Sequence, residues 1–407
     1  MNDNPSIHET APSAQAAPGG SLRELFGAAL KLGLTSFGGP VAHLGYFREE
    51  YVKRRQWLDE KSYADLVALC QFLPGPASSQ VGISIGMMRA GILGGIVSWI
   101  GFTIPSALAL AAFAFLTKGS DTGGAGWLHG LLIVSVAVVA QAVWGMARTL
   151  APDRTRGTIA IGTAILTLAW PSAYGQLILI AAAGLLGRLL LPSGDVPERP
   201  RIAIRISRTA AILSWIVFFG LLLGLPLWRQ ASSSAWVAMI DSFYRVGSLV
   251  FGGGHVVLPM LQAELVPPGW MTDAQFLAGY GAAQAVPGPL FTLSAYLGAV
   301  MNGWPGALVA LLAMFLPSFL LVTGSLPLWD AIRSRPNVQS VLKGVNASVV
   351  GILLAALYHP VWTSAIRTSY DFCLALAAFG LLMLWKLPPW AVVLFAAAGG
   401  ALMPLLS

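Results

Sequence analysis

Lys31 and Arg245 each stand six residues ahead of a glycine break in an apolar stretch, at Phe37-Gly38-Gly39 and Phe251-Gly252-Gly253. A cation at mid-membrane depth costs about 2.5–3.5 kcal/mol on insertion scales, so it normally faces a partner or a wet cavity. Two cations in equivalent places can hold one dianion between them, Arg by bidentate contact and Lys as a point charge. The competing reading is that both snorkel to an interface or pair with nearby carboxylates such as Glu24 and Asp241.

A second pair of features follows the first. Pro74-Gly75-Pro76 and Pro287-Gly288-Pro289 interrupt two further apolar runs, and hydroxyl residues come next: Ser78 and Ser79 after the first turn, Thr292 after the second. Irregular backbone survives at membrane depth only where protein or a water-filled cavity satisfies its N–H and C=O groups. Half-helix N-termini there aim free N–H groups at anions, each contributing about 0.3–1 kcal/mol and up to ~2 where partly buried. Gly38, Gly39, Gly252 and Gly253 let backbone approach such a ligand, and Gln71 and Gln284 either donate to ligand oxygen or satisfy carbonyls freed by the prolines. Glu50 and Glu264 are proton carriers or structural acids; His43 and His255 titrate near neutral pH or serve as polar core residues. Prolines and glycines are also ordinary kinks and packing points in membrane helices, so in-register duplication carries the functional reading of these turns.

The surrounding chain is a membrane protein. Of its 407 residues 56% are hydrophobic and 10% charged, against roughly 25% charged in soluble domains. Its net charge of +7 sits in short loops between apolar runs, a pattern of membrane orientation rather than a nucleic-acid surface. Cys70 and Cys373 lie apart in apolar stretches, so neither a disulfide framework nor a metal cluster is expected, and no cofactor. Residues 1–20 read as a disordered tail without a signal-peptide core. Spans are expected at 92–117, 127–150, 157–172, 174–191, 209–228, 304–324, 339–359, 369–386 and 388–406, with a basic, proline-rich linker at 192–208.

The chain repeats itself. Fifteen ordered matches relate the halves at offsets of 214, 213 and 212, including Glu50 with Glu264, Trp57 with Trp270, Gln71 with Gln284, Ser79 with Thr292 and Gly91 with Gly303. Matching loops carry opposite charge bias: 40–62 holds Arg48, Lys53, Arg54, Arg55 and Lys61, whereas 252–274 holds no Lys or Arg. Lys and Arg mark the cytoplasmic side, so the halves are expected in opposite orientations. The expected fold is an all-α polytopic membrane protein of two inverted-topology repeats, 21–191 and 234–407, with broken or re-entrant helices, joined through 192–233 by a connector transmembrane helix.

Thr35-Ser36-Phe37-Gly38-Gly39-Pro40 with His43, Glu49-Glu50, Trp57 and Phe72-Leu73-Pro74-Gly75-Pro76 resembles the first domain of the chromate ion transporter family. Phe251-Gly252-Gly253-Gly254-His255, Glu264, Trp270 and Gln284-Ala285-Val286-Pro287-Gly288-Pro289 resembles the second. The resemblance runs from about 21 to 406, with Gly254 standing where the first copy has Pro40. It implies a multi-pass protein of the bacterial inner membrane that extrudes chromate and confers resistance. Sulfate, a related oxyanion or an anion channel are the alternatives. Partners are then chromate or sulfate, membrane lipid and, as one option, a second copy of the chain, without nucleic acid. An enzyme reading, a membrane reductase, lacks support: there are five His, two isolated Cys and no phosphate- or dinucleotide-binding glycine motif.

Overall fold

The computed structural model describes residues 21–37, 39–117, 126–170, 173–192, 206–250, 257–328 and 336–402. The tail 1–20, Gly38, Gly252, Gly253, His255 and most of the linker lie outside the described residues. Described residues form helices joined by turns, with no strand among them, as expected of an all-α polytopic membrane protein. Among the described residues, five helical segments are long and apolar enough to cross a bilayer: Ala77–Thr117, Gly126–Leu150, Arg208–Ala231, Leu290–Leu328 and Gln339–Ala365.

The first half comprises α1 (Leu22–Thr35), α2 (Gly39–Phe47), a wide helical turn at Arg48–Arg54, α3 (Glu60–Phe72), α4 (Ala77–Thr117), α5 (Gly126–Leu150), α6 (Arg154–Ala169) and α7 (Ala173–Leu190). Helix α8 (Arg208–Ala231) follows the linker and packs on α9 (Ala235–Leu249) and α12 (Leu293–Ser325). Between these last two lie α10 (Val257–Leu265) and α11 (Asp273–Ala285); the chain ends with α13 (Pro336–Ala356), α14 (Ser369–Met383) and α15 (Pro389–Leu402). Local signals set several starts: Asp153 caps α6, Ser207 caps α8, and capping boxes at Thr272/Gln275 and Thr368/Asp371 open α11 and α14.

The long helices α4 and α12 are not straight. Gly91 has φ 64° and ψ −160°, and Gly303 has φ 64° and ψ −153°, with Ala90 and Asn302 distorted alike. Eight residues of straight helix rise about 12 Å. Yet a methyl group added at Gly86 would strike the carbonyl of Gly94, and one at Gly298 the carbonyl of Gly306. Each long helix therefore doubles back on itself at its glycine, giving a short arm (77–89, 293–301) and a long arm (92–117, 304–325). The long arms match the expected spans.

Corresponding contacts recur in the two halves. Gly33 of α1 meets the carbonyls of Gly101 and Phe102, and Gly247 of α9 meets that of Met314. Helices α4 and α12 then pack against each other at the centre. Outside them, Gly126 and Gly130 let α5 approach Gly400 and Ala396 of α15, and Gly187 lets α7 approach Gly344 of α13. Close backbone approach through small residues is how helices associate where lipid removes the hydrophobic drive. Helix α8 leaves Ile212, Ile216, Leu223 and Leu227 exposed, as a peripheral lipid-facing helix does.

The reversals depend on glycine for backbone geometry, because nothing lies within 4 Å of a methyl at Gly91. That φ/ψ region is essentially reserved for glycine, and another residue there costs about 1–3 kcal/mol. Gly91→Ala and Gly303→Ala should each lower the melting temperature of the detergent-solubilised protein. Gly27→Ala, on an open face of α1, should not.

Candidate functional site at the crossing of the halves

The two Pro-Gly-Pro turns are bound to the opposite halves. Gly75, with φ 117°, donates its N–H to the carbonyl of Val250 at 2.7 Å; Gly288, with φ 98°, donates to the carbonyl of Ser36 at 2.9 Å. Ser36 and Val250 occupy the same place in the repeat, directly after α1 and α9. The bonds are therefore reciprocal. Each half ends its first helix at a carbonyl that the other half's turn satisfies. A side chain at Gly75 would meet Ser318 Oγ at 2.7 Å, and one at Gly288 would meet Ser106 Oγ at 2.9 Å. These two serines also match across the repeat.

Around this crossing lies a buried polar set. His43 Nδ1 is 3.2 Å from Ser78 Oγ, and its ring also hydrogen-bonds the Ser36 backbone and meets Phe102 edge-on at 5.6 Å. Gln80 Nε2 donates to the Pro74 carbonyl at 2.6 Å. Ser106 Oγ donates to the Thr103 carbonyl at 3.1 Å. Ser36 Oγ, Ser79 Oγ, Thr103 Oγ1, Gln80 Oε1 and Gln284 Nε2 are buried and have no hydrogen-bond partner among the described residues.

Of the residues expected from sequence, both turns are bonded across the halves, and His43 and Ser78 are linked to Ser36, while Ser79 and Gln284 adjoin the turns in the chain. Thr292 closes on its own turn, donating to the Pro289 carbonyl at 2.7 Å. Gln71 is exposed at the end of α3 rather than inside the crossing. Gly39, with φ 79°, opens α2. Sequence reasoning missed Ser36, Gln80, Thr103, Ser106 and Ser318. A lone small polar residue in an apolar helix carries no pattern, although two of these, Ser106 and Ser318, repeat in register.

Lys31 and Arg245 each pair with a carboxylate, which is the competing reading of these two cations. Lys31 Nζ lies 2.6 Å from Glu50 Oε2, and Arg245 Nη1 donates to Glu264 Oε1 at 2.8 Å, so equivalent cations meet equivalent carboxylates. Arg245 Nη2 also donates to Asp241 at 2.7 Å, and Arg229 to Asp241 at 3.1 Å. Two guanidiniums thus face two carboxylates. Glu50 takes Arg54 and Arg55 as well, and Arg55 reaches on to Glu24. Desolvation alone would raise the Glu50 pKa, but hydrogen bonds from Lys31, Arg55 and Arg54 outweigh it and hold the carboxyl at about 2, against an ordinary 4.5. Such a group stays ionised at neutral pH. Trp57 and Trp270 add to the match: Arg55 and Arg89 lie over the first ring at 5.0 and 4.3 Å, Arg229 over the second at 6.0 Å.

The matched halves accord with a comparison to known families. The chromate transporter family model matches twice, over residues 23–188 and 237–401. The chain belongs to the chromate transporter family. It is 29% identical over 406 residues to a chromate transport protein of Pseudomonas aeruginosa, covering 97% of this chain and 95% of that one. A probable chromate transport protein of Synechococcus elongatus is 28% identical, covering 94% and 96%, and a chromate transport protein of Cupriavidus metallidurans is 27% identical, covering 85% and 84%. No solved structure matches. As a member of this family with five bilayer-length apolar helices, the chain is a multi-pass membrane protein of a transporter family.

Removing one partner of a buried ion pair costs about 3–5 kcal/mol, whereas partly exposed pairs contribute ~0–1 kcal/mol. Arg245→Ala should therefore deplete folded, membrane-inserted protein. Lys31→Ala, whose side chain is 47% exposed and whose partner keeps two arginines, should be tolerated; size-exclusion profiles in detergent would show both. Because the Glu50 pKa is depressed on folding, its stabilisation is present above the ordinary 4.5 and is lost as pH falls toward about 2. Melting temperature should drop across that window, and Glu50→Gln should flatten the drop.

Proposed function

We propose that the protein exports chromate across the bacterial inner membrane by alternating access and so confers chromate resistance. The reciprocal pair of bonds at the crossing carries this reading. Gly75 to Val250 and Gly288 to Ser36 join interrupted helices of each half to the other half. Transporters with duplicated halves place discontinuous helices and substrate at such a junction, near the midplane. The family and the names of its relatives supply the oxyanion.

The halves lie in opposite orientations. Loop 40–62 carries five basic residues and 252–274 none, as matching loops on opposite faces would. The short arms of α4 and α12 are re-entrant, entering with the Pro-Gly-Pro turn and leaving at Gly91 and Gly303. Helix α8 inverts the second copy, and one half rocks against the other about the crossing.

The membrane potential drives export. One charge crossing 100 mV is worth about 2.3 kcal/mol, so a dianion leaving a negative interior releases about 4.6 kcal/mol. At 1.36 kcal/mol per tenfold, that sustains a gradient of roughly a thousandfold without a coupling ion. Chromate flux from proteoliposomes should rise with an imposed inside-negative potential, saturate with substrate and be competed by sulfate. Flux indifferent to potential would remove electrogenic export, and flux that does not saturate would indicate a channel.

A further inference from the structure

Paired buried donors and acceptors account for most polar groups in a folded chain, so a cluster of unpaired ones requires a reason. Leaving a buried hydroxyl unsatisfied destabilises the fold, and apolar replacement of the same shape removes that penalty. Ser36, Ser79 and Thr103 are 0%, 2% and 0% exposed, and the hydroxyl of each lacks a hydrogen-bond partner among the described residues. Hydrogen bonds tie together the segments that carry them. Ser36 holds the Gly288 N–H; Thr103 holds Ser106, whose hydroxyl borders Gly288; Ser79 follows Ser78, which His43 links back to Ser36.

The second half shows that the fold does not need these polar groups. At the repeat offsets of 214, 213 and 212, Ser36 corresponds to Val250, His43 to Val257, Ser78 to Phe291, Gln80 to Leu293 and Thr103 to Phe315. The same backbone positions are filled there by apolar side chains. Ser79 corresponds to Thr292, which spends its hydroxyl on its own turn. The two sides of the crossing also differ in space: beside Gly75, the amide of Gln80 fills the gap next to Ser318, whereas its counterpart Leu293 offers no amide on the Gly288 side. Polarity at these positions is thus one-sided, and the unpaired Gln284 Nε2 amide stands four residues before Gly288 in the chain.

We propose that these groups form a single, charge-neutral seat for one tetrahedral oxyanion. Ser36, Ser79 and Thr103 donate their hydroxyls and Gln284 its amide, and no Lys or Arg takes part. The inference rests on the export reading above and replaces the pair of cations with neutral donors. Hydroxyl and amide groups orient themselves to an acceptor-only tetrahedral dianion from several directions. Neutral donors also suit transport, because a ligand must be held well enough to enter and weakly enough to leave. Among the described residues, the second half offers no matching set of hydroxyls.

The test uses the full-length protein in detergent and in proteoliposomes, with chromate and sulfate as the probes. Chromate should raise the wild-type melting temperature. Ser36→Ala, Ser79→Ala and Thr103→Val should each melt, ligand-free, at or above wild type, while weakening half-saturation of both the thermal shift and the flux by at least about tenfold. Thr103→Ser should restore near-wild-type half-saturation, and Ser294→Ala, whose hydroxyl is bonded to the Phe291 carbonyl, should leave it unchanged. Wild-type half-saturation in the three variants, or ligand-free melting well below wild type, overturns the neutral seat and leaves chromate export standing. A wild-type protein with neither chromate-dependent shift nor chromate flux overturns both.

Discussion

Backbone polar groups cannot remain unpaired in hydrocarbon, and the centre of this protein is built on how that demand is met. Four helices stop at mid-chain breaks, and each stop exposes groups that a continuous helix would pair internally. The two halves satisfy one another through Gly75 with Val250 and Gly288 with Ser36. Neither half can close its own break in this way, so the crossing exists only when both are present. Glycine is needed in each turn, because a positive φ directs the N–H across the interface and a serine hydroxyl occupies the space a side chain would take.

Charge is organised by the same duplication. Lys31 with Glu50 and Arg245 with Glu264 are one interaction present twice, each spanning 19 residues from the first helix to the segment beyond the break. These pairs fix the first helix of each half against that segment. A cation beside a carboxylate has less field left for a third ion, and these pairs hold the first helices in place.

Duplicated architecture with unduplicated side chains separates two demands. Features that recur, such as the reversals at Gly91 and Gly303 and the serines beside each turn, are what the fold requires. Features confined to one half, such as Ser36, His43 and Thr103 against Val250, Val257 and Phe315, are free of that requirement. His129, 2.9 Å from Asp371, is another such contact: it ties α5 to the capped start of α14.

Much of the architecture was legible in the residue order because it rests on local rules. Hydrophobic length marks the membrane helices, Gly and Pro mark their interruptions, and register at 214, 213 and 212 marks the duplication. The long arms 92–117 and 304–325 could be located because Gly91 and Gly303 end them. Side-chain partnership was not legible in the same way. Lys31 and Glu50 are 19 residues apart, and Ser36 and Gly288 lie on different halves, so no spacing rule joins them. Sequence alone established a duplicated membrane protein with broken helices and a basic residue ahead of each break. Only the tertiary structure decided that those basic residues pair with carboxylates and that each Pro-Gly-Pro turn bonds to the opposite half, because pairing depends on which groups packing brings within about 3 Å.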